Sequence, residues 1–181
     1  MSIIENKKIK CRDGETFTVA GMKFIKFPGK GGQTPAVMKD NAFRSRFGEE
    51  NNDLQGSIIL KRIQEEVLPK ITEALGEENV CAFKTDLTTL DGLKPYPETE
   101  SKISLVTLDF YRANAENFGR YKPDCWWWLA TPESAQPNDD PDYAVCVSPS
   151  GCISGDRYYN SDFGVRPFLI FKSDIFESFE A

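Results

Sequence analysis

The pattern of apolar and polar residues predicts a β-hairpin near the start of the chain. Phe17 and Val19 alternate with threonines, Gly21 stands where the chain would turn, and apolar residues return after it. Alternation with a period of two is typical of a half-buried strand, and glycine is favoured in a tight turn. A third strand is expected at 36–38, after a glycine-rich loop at 28–32.

Two helices are predicted in the middle of the chain. After Ser57, which suits an N-cap, large aliphatic residues recur at every fourth position with charged residues between them. Pro69 should end or kink this helix, and Gly76 should stop its continuation. A second helix with an apolar face is expected after Thr107.

Three tryptophans stand at the start of a predicted strand. Because neighbouring side chains on a strand point to opposite faces, Trp127 should face away from Trp126 and Trp128. Two interpretations follow from this. Either sheet or helix covers both faces of the strand, or Trp127 contacts another molecule, which makes it a candidate partner-binding residue.

A turn is expected in the C-terminal third. Residues 142–148 alternate as a strand does, and the Ser-Pro-Ser-Gly sequence at 148–151 suits a type I turn. That turn would pair Val147 with Cys152. A second reversal is expected near 155–156.

Residues 164–171 should form the closing strand, long enough in apolar residues to lie near the middle of a sheet. The chain has no internal repeat and no convincing linker. We therefore predict one domain over 1–181, with a basic hairpin region at 1–46 and an aromatic sheet region at 124–171.

Composition excludes several kinds of chemistry. The 181 residues contain no histidine, which is the usual general base near neutral pH and the commonest zinc ligand. Five cysteines without a Cys-x-x-Cys pair indicate reduced thiols and not a zinc site or a disulfide framework. We therefore predict a protein that is not an enzyme and that holds no metal and no cofactor.

The chain contains no apolar run close to the roughly 18 residues of a membrane span. Residues 1–10 also lack the apolar stretch of a secretory signal. We therefore expect a cytoplasmic protein with no membrane partner.

Charge is divided unevenly along the chain. Residues 1–46 carry 10 Lys and Arg against 4 Asp and Glu, a net +6, and the remainder carries 12 against 24, a net −12. Such a split either steers association with a charged partner, nucleic acid among them, or simply solvates the fold. The candidate nucleic-acid-facing residues are Lys7, Lys8, Lys10, Lys30, Arg44 and Arg46.

Three motifs resemble a known family. Trp127–Pro132, Val147–Gly151 and Gly164–Ile170 are similar to the Trp-Trp-Leu, Val-x-x-x-Gly and Gly-Val-Arg-Pro motifs of an uncharacterised family of Firmicutes and their prophages. The resemblance implies an α+β, C-type-lectin-like fold: a twisted antiparallel sheet with two flanking helices. Phage tropism determinants and formylglycine-generating enzymes share that scaffold.

The resemblance also implies roles for particular residues. In such a scaffold Arg166 would be a buried structural cation beside aromatic and carboxylate groups. Structural roles are predicted for Trp126, Trp128, Gly164, Arg166 and Pro167. A second set either contacts a protein or glycan or forms a solvent-facing hairpin tip. Its members are Asp156, Arg157, Tyr158, Tyr159, Asn160 and Asp162.

Gln136–Asn138 is similar to the sugar-binding tripeptide of calcium-dependent lectins, and nearby aspartates could supply oxygen ligands over 136–142. The companion Trp-Asn-Asp of those lectins is absent. An acidic turn is therefore preferred to a calcium or sugar site.

These observations favour a non-enzymatic binding protein of phage or prophage type that recognises a host macromolecule. Within that class we favour an intracellular counter-defence inhibitor of the anti-CRISPR kind, contacting a host nuclease and nucleic acid. Two alternatives stay open: a receptor- or glycan-binding module, and an enzyme that acts through Asp, Glu, Tyr or Cys alone. The oligomeric state also stays open.

Overall fold

In the computed structural model, which describes residues 8–179, strands and helices combine into an α+β fold, as predicted. The strands are β1 (Thr16–Val19), β2 (Met22–Lys26), β3 (Gln33–Met38), β4 (Phe43–Ser45), β5 (Val80–Cys81), β6 (Phe83–Lys84), β7 (Glu100–Ser101), β8 (Ser104–Leu105), β9 (Trp127–Pro132), β10 (Tyr143–Val147), β11 (Ile153–Arg157), β12 (Phe163–Val165) and β13 (Pro167–Lys172). The α-helices are α1 (Ile58–Glu66), α2 (Leu68–Leu75), α3 (Leu108–Ala113) and α4 (Ala115–Arg120).

The strands form two main sheets and a small ribbon. The first sheet has the order β1-β2-β3-β13-β5, with β8 also paired to β13, so the closing strand does lie in the middle of a sheet. The second sheet has the order β11-β10-β9-β12-β4, and β6 pairs with β7. Neighbouring strands are antiparallel except β9 and β12, which run parallel. No helix in the described part of the chain is long and apolar enough to cross a membrane.

The predicted N-terminal hairpin is confirmed. Val19 pairs with Met22, so the turn consists of Ala20 and Gly21 alone. Both turn residues have positive φ, 50° and 77°, which is the backbone conformation of a two-residue turn between twisted strands. The expected third strand is confirmed as the second half of β3.

Both predicted helices are present, and each is divided in two. The Ser57 hydroxyl accepts a hydrogen bond from the Leu60 N–H and so caps α1. The helix axis breaks at Val67 because Pro69 has no N–H with which to continue the ladder, and Gly76 ends α2 with a φ of 89°. Thr107 caps α3 through the Phe110 N–H.

Strand β9 is buried on both faces. Trp127 is 1 % exposed and Trp128 is 0 % exposed, yet they point in opposite directions. Trp128 packs in a core beneath α1 and α2, and Trp127 packs in a second core with residues of α3 and α4. The prediction that Trp127 contacts a partner is therefore wrong, because helix covers the face on which it lies.

The C-terminal strand register differs from the prediction by one residue. Val147 pairs with Ile153 and not with Cys152. Ser148 holds Cys152 within the turn, because the Ser148 N–H donates to the Cys152 carbonyl and the Ser148 hydroxyl accepts from the Cys152 N–H. The second reversal follows Arg157, where β11 ends, instead of lying near 155–156.

The predicted closing strand is interrupted at Arg166, between β12 and β13. Before that break, Gly164 permits a close approach: a Cβ at this position would lie 2.1 Å from Asn41 Oδ1. Asn41 cannot move aside freely, because its Nδ2 donates to Cys125 Sγ at 3.2 Å. The absence of a side chain at Gly164 therefore allows β12 to pair closely with β4. Trp126 stacks on the neighbouring Phe163.

Replacing Gly164 with alanine should destabilise the protein by about 1–3 kcal/mol, because the new methyl group overlaps Asn41. The matched control is Gly119→Ala in α4, where an added Cβ meets nothing within 4 Å. That change should stabilise the protein by about 0.5–1 kcal/mol, the usual gain from Gly to Ala within a helix. Urea unfolding followed by circular dichroism measures both; equal stability of the two variants would contradict the account of Gly164.

Candidate binding surface

An arginine held between two tyrosines forms the best-defined exposed cluster on the second sheet. Tyr143 begins β10 and pairs directly with Arg157 at the end of β11, and Tyr159 follows in the next turn. Arg157 Nε donates to Tyr143 Oη at 3.2 Å, and Nη1 donates to Tyr159 Oη at 2.9 Å. Its guanidinium carbon lies 5.6 and 5.9 Å from the two ring centres. We call Tyr143, Arg157 and Tyr159 the Tyr-Arg-Tyr surface.

The apolar parts of this surface are open to solvent. Tyr143 is 36 % exposed and Tyr159 is 40 % exposed. Ile153, at the other end of β11, is 42 % exposed. Because β11 is the last strand of its sheet, Ile153 and Arg157 lie at a sheet edge, with Tyr143 on the neighbouring strand. Tyrosine and arginine are enriched in protein interfaces.

Hydrogen bonds fix the loop that presents the surface. One oxygen of Asp156 accepts from the Arg157 N–H and the other from the Ser161 hydroxyl, both at 2.7 Å. The Tyr158 backbone donates to the Asp142 carbonyl and accepts from the Gly48 N–H. Asp156 and Tyr158 are half-buried, and their hydrogen bonds restrain the loop. Both were predicted as contact residues.

Of the remaining residues predicted to contact a partner, the structure places Arg157, Tyr159, Asn160 and Asp162 on the exposed surface. Tyr143 was not predicted as a contact residue. The predicted register would set it opposite Asp156, whereas the observed register sets it opposite Arg157. The predicted strand at 142–148 already included Tyr143, but the one-residue error in the predicted turn paired it with the wrong residue of the next strand.

The candidate nucleic-acid-facing residues lie in two places. Lys8 and Lys10 are exposed on either side of Ile9, and Lys30 is exposed on the loop between β2 and β3. Arg44 lies on β4 of the other sheet.

The two predicted arginines are paired with acids: Arg44 with Asp124 at 3.2 Å and Arg46 with Glu49 at 2.7 Å. Lys7 lies outside the described residues. The described members therefore do not form a continuous stripe along one element.

The loop at 136–142 is tied to its neighbours. Asn138 donates to Asp91, which also accepts hydrogen bonds from Ser134 and Thr89. These hydrogen bonds, led by the one from Ser134, lower the pKa of Asp91 to about 2. Gln136 donates to Asp140. Within residues 8–179, no three acidic or cysteine side chains are placed together to hold a metal ion.

Arg166 is buried, as predicted, with 1 % of its surface exposed. Its guanidinium carbon lies 4.7 Å from the centre of the Trp127 ring, which confirms the aromatic neighbour. The prediction that a carboxylate pairs with Arg166 is wrong. Nε donates to the Met38 carbonyl at 3.0 Å, and the nearby carboxylate of Asp40 stays at the surface, 3.4 Å from Lys39.

Buried thiols in this protein are poor nucleophiles. Burial raises the pKa of Cys146 to about 12 and that of Cys11 to about 11. Burial also raises the pKa of Cys125. The reactive thiolate form of these three side chains is therefore scarce at neutral pH.

Comparison with protein families matches residues 48–173 to one described as Domain of unknown function (DUF6273). Neither the curated proteins nor the solved structures contain a match to the chain.

Alkylation with iodoacetamide at pH 8 should modify Cys152 first, since it is the exposed cysteine of the five. Cys11 and Cys146 should stay unmodified in the folded protein, because pH 8 is well below their raised pKa values and both are buried. Peptide mapping by mass spectrometry measures the modified fraction at each position. Rapid modification of Cys146 without unfolding would show that the described burial is incorrect.

Proposed function

We propose that this chain, which belongs to the DUF6273 family, is a non-enzymatic binding protein that recognises a partner protein through the Tyr-Arg-Tyr surface. The observation that carries the proposal is the pair of hydrogen bonds between Arg157 and the two tyrosine hydroxyls. Tyrosine and arginine supply much of the binding energy in protein interfaces. Here they are already held in one arrangement before a partner arrives.

Pre-organisation lowers the entropy lost on binding. A free arginine or tyrosine side chain must give up rotamers when it enters an interface. In this protein the Arg157 side chain is restrained at two nitrogens, and the loop behind it is restrained by Asp156 and Tyr158. A partner therefore meets a surface that needs little further ordering.

For the partner, we propose a nuclease or other nucleic-acid-handling protein of a bacterial host, which the chain inhibits as a counter-defence protein. The division of charge supports this choice, with a net +6 over residues 1–46 and a net −12 beyond them. Nucleic-acid-handling proteins present basic channels, and an acidic surface is attracted to such channels over long range. Lys8, Lys10 and Lys30 are exposed and could contact the nucleic acid itself.

Affinity capture from a host lysate at low salt should recover a DNA-handling protein with the wild-type chain. Arg157→Ala and Tyr159→Ala should each reduce its recovery about tenfold or more, because tyrosine and arginine at the centre of an interface contribute about 2 kcal/mol or more. Raising the salt concentration should weaken the complex. Quantitative mass spectrometry of the captured proteins gives the result.

The matched control is Arg112→Ala, which removes an exposed arginine on α3. It should retain the captured protein at the wild-type level. Equal recovery by all variants, or no specific protein at low salt, would contradict the proposal. Binding on a glycan array, with or without calcium, would favour the receptor-binding alternative instead.

A further inference from the structure

A cavity of about 270 Å³ lies beside Arg166, away from the Tyr-Arg-Tyr surface. Helices α3 and α4 form one wall, the turn after β10 forms another, and Trp127 lies between them. Its lining includes Tyr111, Phe118, Lys122, Trp127, Val147 and Arg166.

The guanidinium of Arg166 has hydrogen-bonding capacity that the described residues leave unused. Its Nε donates to the Met38 carbonyl, but Nη1 and Nη2 are buried without an acceptor in the described part of the chain. Buried donors without acceptors are costly, and buried charges even more so. Arg166 also lines the cavity, and because its two outer nitrogens have almost no accessible surface, an acceptor in the cavity reaches them after a small shift of the side chain.

The cavity is positively charged in a protein whose net charge is −6. Its lining includes two cations, Arg166 inside and the exposed Lys122, and no acidic side chain. Burial lowers the pKa of Arg166 to about 10, with an opposing effect from Asp40, so the side chain stays charged at neutral pH. Asp40, the acid that acts on Arg166, lies at the surface and outside the lining, so the lining itself presents cations and no carboxylate to an entering anion.

The aromatic walls of the cavity favour a ligand that also has an apolar group. Arg166 lies against the rings of Trp127 and Phe118, 4.7 and 5.6 Å from their centres. Val147 and Pro149 complete the apolar lining. A volume of about 270 Å³ is near the small end of ligand sites, too small for a drug-sized molecule.

We propose that this cavity binds a carboxylate joined to a small aromatic or aliphatic group, with the two outer nitrogens of Arg166 as the donors. A guanidinium edge offers two parallel N–H groups that match the two oxygens of a carboxylate. The apolar group then lies against the aromatic wall, and Lys122 attracts the anion at the entrance. The carboxylate belongs either to a free small molecule or to the C-terminal residue of a chain.

Titration with benzoate tests this proposal, with benzamide as a neutral probe of the same shape and inorganic phosphate as a different anion. Ligand-observed NMR on the full chain should detect benzoate at about 1 mM affinity or tighter. Benzamide should bind about tenfold more weakly or not at all, since it lacks the charge. Acetyl-phenylalanine distinguishes the two sources: binding of both acids admits a chain terminus, and binding of benzoate alone assigns a free small molecule.

Variants locate the binding. Arg166→Gln should abolish benzoate binding, and Gly119→Leu should do the same by filling the cavity while leaving Arg166 in place. Gly119 accepts a larger side chain, because an added Cβ meets nothing within 4 Å, so this variant should fold. Lys122→Gln should weaken binding about threefold, whereas Lys94→Gln, another exposed lysine outside the cavity, should leave it unchanged.

Three results would overturn the proposal. The first is no benzoate binding to the wild-type chain up to about 20 mM. The second is equal binding of benzoate and benzamide, or of benzoate to the wild-type chain and Gly119→Leu. The third is binding of phosphate alone, which would make the cavity a phosphate site and exclude the carboxylate assignment.

Discussion

Adjacent tryptophans on β9 must both be buried, although neighbouring side chains on a strand point in opposite directions. One apolar layer cannot satisfy both, so the protein needs a core on each side of this strand. Both cores draw residues from both sheets: Trp128 shares one with Phe24 and Phe171, and Trp127 shares the other with Ile25. The two sheets and the two helix pairs are thus assembled around a single strand.

This arrangement determines where the protein can make contacts. The large aromatic residues at the centre are buried by packing, and the two binding sites that we propose therefore lie at the sheet margin and beside the cores. Arg157 lies at the margin, restrained by hydroxyl groups of two exposed tyrosines. Arg166 lies against Trp127, where the core of α3 and α4 meets a cavity. We propose that the first cation contacts a partner protein and that the second binds a small anion.

Local patterns in the sequence were sufficient for the local elements. The alternation around Gly21, the cap at Ser57 and the break at Pro69 all involve residues near one another in the chain, and each was predicted. The α+β class, which the family resemblance implied, is also confirmed. The C-type-lectin-like relationship stays a prediction.

Features that depend on residues far apart in the chain could not be predicted from local sequence patterns. The burial of Trp127 requires helix α4, and the missing acceptor of Arg166 depends on where the chain around Asp40 passes. A side-chain hydrogen bond within the turn, from the Cys152 N–H to Ser148, shifted the register by one residue. That shift alone decided which residue lies opposite Arg157.

Native-state hydrogen exchange most directly tests the claim that the fold is built around β9, since it compares the stability of that strand with the stability of the turn after β11. The Ala130 N–H in β9, which donates to the Val106 carbonyl, should exchange only through global unfolding, with the free energy measured by urea denaturation. The Asn160 N–H, in the turn after β11, should exchange through local opening at a much lower free energy. Exchange of Ala130 well below the global value would contradict a fold built around β9.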